Sequence, residues 1–265
     1  MSSRPGLVTY RVESPEWRLP DLTIAVLSDF HTCLPWTPVA AIRRVVDMAN
    51  ATGADLILLG GDFLKDGKMP GLAVPAASTV RALEGLSAPL GVFAVLGNHD
   101  WKDCRTARAT GYARNSVAEA FGGSALRLLR NEAVRVGHGA GFWLVGFDSQ
   151  RPHHDPRLGG FHDPEAAFRE VPEGAPAILL AHEPDWFGAG DRRAFLQISG
   201  HTHGGQANLF GWRPLTPSAH GPRYAWGHVR EGGRQLIVSG GIGYSGLPLR
   251  ILQPPEITVV TVTGG

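Results

Sequence analysis

Five short clusters carry side chains suited to metal chemistry: Asp29-Phe30-His31, Gly61-Asp62, Gly97-Asn98-His99-Asp100, His182, and Gly200-His201-Thr202-His203. Carboxylate, imidazole and amide oxygen together suit a divalent ion of intermediate hardness, such as Mn, Fe or Zn. Two such ions about 3.5–4 Å apart can clamp both the attacking and the leaving oxygen of a phosphoryl displacement. A bridging carboxylate is the natural way to hold two cations that close. Water bound to such ions loses its proton near neutral pH, so the chemistry needs no Ser or Cys nucleophile.

Each cluster alone is a weak signal. Asp-x-His arises often by chance, Asp62 could cap a turn, Asn98 after Gly97 could be turn chemistry, and His182 could be a satisfied buried histidine. Gly200-His201-Thr202-His203 says more. Imidazoles at i and i+2 diverge on a regular strand, so their convergence requires an irregular loop, and Gly200, Gly204 and Gly205 permit one. The joint occurrence is decisive, because every cluster closes an apolar run.

Those runs are the elements that must position the clusters. Thr23–Leu27, Asp55–Leu59, Val92–Leu96, Ala177–Ala181 and Phe195–Ser199 read as strands buried on both faces. Between them, the spacing of Ile42, Val45, Val46 and Ala49 predicts a helix over Pro38–Ala51 with Thr37 as N-cap and Pro38 at the first helical position. A second helix is expected over Val74–Leu86. Alternating strands and helices imply a largely parallel sheet, whose sites form at the carboxyl ends of its strands. Glu132–Val136 and Phe142–Phe147 read as a hairpin across a Gly-rich turn, and Asp148–His162 as a polar surface loop. From Gly204 the chain is loop-rich, with short strands at Gln235–Ser239 and Glu256–Val262. With no repeat or linker, residues 1–265 are expected to form a single domain.

Composition bounds the rest. Hydrophobic residues make up 43% and charged residues 18%, enough for a substantial core. The net charge of +1 gives no sign of a nucleic-acid surface. Cys33 and Cys104 are too few for a disulfide framework and read as free thiols. The absence of a Sec-type run, a twin-arginine pair or a membrane-length apolar stretch predicts a soluble, cytoplasmic protein.

In these motifs and their order, the chain resembles the calcineurin-like metallophosphoesterase superfamily. Gly204-Gly205-Gln206, Val238-Ser239-Gly240-Gly241-Ile242-Gly243, Pro248-Leu249-Arg250 and Pro254-Pro255-Glu256-Ile257-Thr258 resemble its small bacterial phosphodiesterase branch. The resemblance implies an α/β fold, a four-layer αββα sandwich of two mixed β-sheets flanked by helices. It implies two divalent ions: Asp29, His31 and His203 on the first, Asn98, His182 and His201 on the second, and Asp62 bridging. His99 is then catalytic rather than a ligand, facing the phosphate beside Asn98. The implied reaction is hydrolysis of a small phosphate ester, foremost a phosphodiester, by a metal-bridging hydroxide.

One departure concerns the partner of His99. Many members place an Asp three residues after the bridging Asp, where this chain has Lys65 followed by Asp66. Asp66 or Asp100 could take the orienting role, or neither. Arg250 could fork onto phosphate or form a structural ion pair. Cys33 reads as a small buried side chain, and His153 and His154 as part of a solvated loop or a lid. Trp36, Trp101 and Trp212 read as pocket lining or ordinary core. Three alternative functions remain: hydrolysis of the pyrophosphate of UDP-2,3-diacylglucosamine, phosphomonoesterase activity, and a catalytically silent metal-binding interaction module. The diacyl reading calls for an exposed apolar surface, and the sequence pattern shows no clear one.

Overall fold

The computed structural model describes residues 4–137, 139, 141–155 and 157–265. His138 and Ala140, in the expected Gly-rich turn, and Pro156, in the polar loop, lie outside the described residues. The first half of the chain runs β1 (Gly6–Ser14), β2 (Leu22–Leu27), β3 (Cys33–Leu34), α1 (Val39–Asn50), β4 (Leu56–Leu59), β5 (Leu72–Ala73), α2 (Ala76–Leu83), β6 (Val92–Ala94), α3 (His99–Lys102), α4 (Arg105–Ala109) and α5 (Ser116–Gly122). The second half runs β7 (Arg127–Leu128), β8 (Glu132–Val136), β9 (Phe142–Gly146), α6 (Pro164–Phe168), β10 (Ala177–Leu180), β11 (Leu196–Ser199), β12 (Gly227–Glu231), β13 (Arg234–Val238) and β14 (Glu256–Gly264).

Two six-stranded mixed sheets result, ordered β1-β14-β2-β4-β6-β7 and β12-β13-β11-β10-β9-β8. Within the first, β2, β4, β6 and β7 are parallel; within the second, β9, β10, β11 and β13 are parallel. The inner faces meet through Ile24, Val26, Leu56, Leu58, Leu144, Ile178, Leu180, Leu196, Ile198 and Ile237. The outer face of the first sheet is covered by α1, α2 and α5, through Ile42, Val46, Val80, Leu83, Val117 and Phe121. The second sheet carries Phe168 of α6 against Val145 and Leu179. This is the expected four-layer sandwich. It follows from the sequence because β4 and β10 are apolar at every position and, with β11, are buried on both faces.

Local boundaries differ from expectation in instructive places. Helix α1 starts at Val39, with Pro38 as the N-cap and no side-chain capping bond. Thr37 is not the cap. Its backbone exchanges two hydrogen bonds with Cys33, closing a turn that β3 opens, and its hydroxyl is buried without a protein partner. Helix α2 begins after Pro75 rather than at Val74, since the residue before a proline is pushed out of the helical region. Five strands escaped the sequence pattern: β1, an edge strand paired along nine residues with β14, β12, and the two-residue strands β3, β5 and β7. No helix among the described residues is long and apolar enough to cross a membrane.

The Thr37 finding is testable. Thr37→Val should leave stability unchanged or raise it, because it removes a buried hydroxyl with no protein partner. Loss of a true N-cap would instead cost about 1 kcal/mol. Urea denaturation of the two proteins distinguishes these outcomes.

Candidate metal centre

The five clusters meet at the carboxyl ends of strands from both sheets. Asp29 and His31 follow β2, Asp62 follows β4, and Asn98 follows β6. His182 follows β10, and His201 and His203 follow β11. All seven side chains are buried. His31 Nε2 lies 3.1 Å from His203 Nε2, and His203 Nε2 lies 3.4 Å from Asp29 Oδ1. Asn98 Oδ1 lies 3.0 Å from His182 Nε2 and 2.8 Å from His201 Nδ1. Asp62 Oδ2 stands between the two groups, 3.5 Å from His31 Nε2 and 3.1 Å from His182 Nε2.

Outer hydrogen bonds decide which ring nitrogen faces inward. His31 Nδ1 donates to Leu64 O at 3.0 Å, His182 Nδ1 to Gly60 O at 2.5 Å, and His201 Nε2 to Pro217 O at 2.7 Å. Each opposite nitrogen is thereby aimed at the centre, the usual support for a metal-ligating histidine, and carries a bare lone pair where the ring is neutral, as at His31 and His201. Bare nitrogens then face carboxylate and amide oxygens at 2.8–3.5 Å. Acceptors facing acceptors repel, and a cation between them reverses the sign. The donor set therefore fits two divalent ions, Asp29, His31 and His203 around one and Asn98, His182 and His201 around the other.

The electrostatics say the same. Burial pushes His31 down to about 4. Burial and neighbouring cationic groups hold His201 and His203 well below the usual imidazole range. Burial also disfavours charge on His182, yet Asp62 and Asp29 outweigh it and raise its pKa. Burial, opposed by His182 but reinforced by Asp62, pushes Asp29 up to about 6.

The backbone is bent to make this possible. Asp29, His31, Asp62, His201 and His203 all have positive φ, between 42° and 71°. Such angles are rare outside glycine and cluster where function fixes the chain. They are pinned by Asp29 N–H to Gly61 O, His31 N–H to Asp62 O, and Gly243 N–H to Asp29 O. At Gly61, with φ of 90°, a Cβ would come within 2.5 Å of Gly97 N and 2.9 Å of His182 Nδ1, so glycine is required there.

Asp100 does not face the His99 ring. Its carboxylate accepts four backbone N–H groups: Asp62 at 2.8 Å, Phe63 at 2.8 Å, Leu64 at 3.0 Å and Gly97 at 2.9 Å. It welds the Asp62 loop to the Asn98 loop. Burial and the nearby Asp62 charge push it up to about 7, and the amides pull the other way. The carboxylate on His99 Nδ1 is Asp103, at 2.5 Å, with Asp66 farther off at 3.8 Å. Sequence reasoning missed Asp103. Its signal was spacing, since it lies four residues beyond His99, on the same side of the short helical turn α3.

Arg250 is not a free phosphate fork. Its guanidinium donates to the carbonyls of Gly240, Gly241 and Gly243, and lies 3.1 Å from His203 Nδ1, locking the last loop behind the ligands. Burial lowers it to about 10. Glu183, also missed, accepts from Ser149 Oγ and the Gln150 amide and ties the polar loop to His182. That loop is not simply solvated. His153 packs edge-on against Tyr112 and Phe161, and His154 Nε2 lies 3.6 Å from Asp103 Oδ1. The tryptophans part ways: Trp101 is buried on Asp148, Trp36 packs by Met69 and Tyr244, and Trp212 is exposed. Cys33 and Cys104 are buried free thiols.

Comparison with known proteins agrees with the site. Residues 22–205 match the family described as calcineurin-like phosphoesterase. The chain belongs to that family. The uncharacterized metallophosphoesterase YkuE of Bacillus subtilis is 31% identical over 241 residues, covering 90% of this chain and 76% of its own. UDP-2,3-diacylglucosamine pyrophosphatase LpxG of Chlamydia muridarum is 27% identical over 304 residues, covering 92% of this chain and 87% of its own. The structure of Haemophilus influenzae NAD nucleotidase (NadN) shares the fold, with a TM-score of 0.50 and 14% identity, over 85% of this chain and 46% of that one. This metallophosphoesterase thus combines a family fold with a clustered set of candidate metal ligands.

Asp100 and Asp103 should separate cleanly on substitution. Asp100→Ala strands four buried amides and should cost on the order of 3 kcal/mol or more, with loss of bound metal. Asp103→Ala should retain metal and lose about 1–2 kcal/mol, because its bonds to His99 and the Gly67 amide and its contact with His154 lie at the edge of the site. Thermal unfolding and metal analysis of the purified variants check both.

Proposed function

We propose that this phosphoesterase hydrolyses phosphodiesters with two divalent ions, Mn, Fe or Zn, held by two triads that share Asp62. The observation that carries this reading is the convergence of Asp29, His31 and His203 on one side of Asp62 and of Asn98, His182 and His201 on the other. When bound, the two ions supply positive charge to a phosphoryl group and lower the pKa of water. Residues 1–265 form one catalytic unit in this reading, because both sheets contribute ligands.

The chain's own residues divide the work. Asp62 Oδ1 accepts the backbone N–H of His99 at 2.8 Å, which fixes His99 relative to the shared carboxylate. Asp103 takes His99 Nδ1, leaving Nε2 to hold a proton and deliver it to the departing ester oxygen. Asp66 is positioned by Ser245 Oγ and the Gly246 amide and backs the same ring. Burial opposes its charge, but His99 and the Ser245 hydroxyl outweigh burial and hold its carboxyl below the usual carboxylate range. Arg250, spent on backbone carbonyls, withholds a cation that a dianionic monoester would use. This supports a diester over a monoester.

A second reading is hydrolysis of a lipid-linked pyrophosphate, the reaction in the name of the Chlamydia relative. It is favoured by an exposed apolar rim beside the site. A catalytically silent binding module is disfavoured by the complete ligand set and by the His99–Asp103 pair.

Substitution, metal removal and a substrate panel test the proposal. Asp62→Ala and His201→Ala should abolish hydrolysis while the fold, read by circular dichroism, persists. Turnover by metal-stripped protein would sink the two-metal reading. Asp103→Asn should lower turnover on the order of 10²-fold with metal content intact. The loss should be larger for an alkoxide leaving group than for 4-nitrophenolate, which leaves without a proton. A panel of bis-, mono- and pyrophosphate substrates with each metal ranks the substrate classes.

A further inference from the structure

The loops beyond the metal centre expose an unusual amount of hydrocarbon. Leu209, Phe210, Trp212 and Leu215 project from the segment after His203. Leu247, Leu249, Ile251 and Leu252 project from the segment before β14. The two segments are joined: Asn208 N–H donates to Ile251 O, Ile251 N–H to Gln206 O, and the Gln206 side-chain amide to Ser245 O and Leu247 O. Asp66, beside His99, accepts from Ser245 Oγ and the Gly246 amide, so the same surface reaches the mouth of the site. Across it lies the β3–β5 ribbon, where exposed Leu34 and Leu72 pair, and Tyr244 packs by Cys33 and Met69 beneath.

Two of these side chains stand in conformations that a turn alone would not select. Phe210 is 97% exposed with φ of 55°, and it shares with Gly211 the tip of a tight turn closed between Leu209 and Trp212. Turns with positive φ at both central residues favour Asn-Gly or Asp-Gly. Leu252 is 62% exposed with φ of 51°. A bulky residue there carries both backbone strain and exposed apolar area, so its use lies in something it contacts.

Charge identifies the contact. Across 64–73, 204–226 and 239–255 the one acid is Asp66, and it is buried; the cations are Lys65, Lys68, Arg213, Arg223 and Arg250. Arg250 is buried on carbonyls and Arg223 is paired with Glu231; Arg213 and Lys65 hydrogen-bond only neutral oxygens, of Gly204, Gln253 and Asp66, and keep their charge at the half-buried edge, and Lys68 is exposed. Protruding Leu, Phe and Trp tips, free of exposed carboxylates and flanked by cations, suit the headgroup and acyl boundary of an anionic bilayer.

We propose that this rim docks the protein on an anionic lipid surface, with Phe210, Trp212, Leu247 and Leu249 entering the interface. The substrate consequence rests on the phosphoester reading above: the site would meet a phosphate ester of an amphiphile at headgroup depth.

Co-sedimentation of the full chain with vesicles of phosphatidylcholine, with and without phosphatidylglycerol, tests the docking. The expected result is binding to the mixed vesicles, weaker binding to the neutral ones, and a roughly tenfold or greater loss of partitioning in Phe210→Ser/Leu249→Ser. Turnover of water-soluble bis(4-nitrophenyl) phosphate should be unchanged in that variant, which shows that the site and fold persist. Loss of soluble turnover in the wild type would instead strike at the phosphoesterase reading. No vesicle binding by an active protein, or equal binding by the variant, overturns the docking. So does a concentration-dependent dimer that the variant abolishes while vesicles are ignored, because the rim is then an interface between copies.

Discussion

Lone pairs pointed at one another are the constraint on which the rest of this molecule depends. Three imidazoles have their outer nitrogens committed to Leu64, Gly60 and Pro217 carbonyls, so the inner nitrogens of His31 and His201, held neutral by burial, face Asp62 and Asn98 as acceptors. In a buried site of low polarizability such contacts cost energy until a cation lies between them. Everything around the centre resists the relaxation that would otherwise separate them. The four amides on Asp100 join the Asp62 and Asn98 loops, and the Asp29 carboxylate accepts the His201 N–H at 3.1 Å, joining the two sheets. Arg250 closes the back of the Gly240–Gly243 loop. The positive φ angles at five ligand positions are the backbone share of the same cost.

The fold tolerates this because the strain sits at strand ends. Along β4, β10 and β11 the chain is regular and wholly buried, and the residues that leave the extended conformation come only after the last ladder bond. Two facing sheets, each largely parallel in its centre, bring five such ends to one place. Glycine is then the only residue that fits where loops cross. Gly97 has no room for a Cβ against Asp62, and Gly200 none against Asp29.

Much of this was legible in the sequence, and the limits were physical. The five buried strands could be read because they are continuous apolar runs, and their order with α1 and α2 implied the parallel sheet. The ligand clusters could be read because metal chemistry restricts residue type and the parallel fold restricts position. β1 could not, since an edge strand alternates weakly and finds its partner β14 some 250 residues away. Asp103 was missed and Asp100 offered beside Asp66 because both Asp100 and Asp103 are near His99 in sequence, and only the helical turn shows which one reaches the ring. Arg250 read as a phosphate fork because sequence shows a guanidinium but not the carbonyls that fill it. The exposed rim was invisible for a related reason. Leucines in a loop-rich tail look like core until the fold shows that nothing covers them.

That rim and the metal centre obey opposite rules, and their adjacency is the more informative for it. The centre is polar, buried and held by backbone bonds from both sheets. The rim is apolar, exposed and held by backbone bonds between its own two segments together with side-chain contacts such as Gln206 to Ser245 and Leu247. A substrate that is only a small anion needs the first and gains nothing from the second. An amphiphile needs both, with its phosphate where cations can sit and its hydrocarbon where Phe210 and Leu249 stand. The two are linked through Asp66, which faces His99 on one side and anchors the Ser245–Gly246 turn on the other. Displacing the apolar loop would pull on the carboxylate nearest His99 after Asp103, so the surface proposed to bind lipid is mechanically joined to the proposed proton donor.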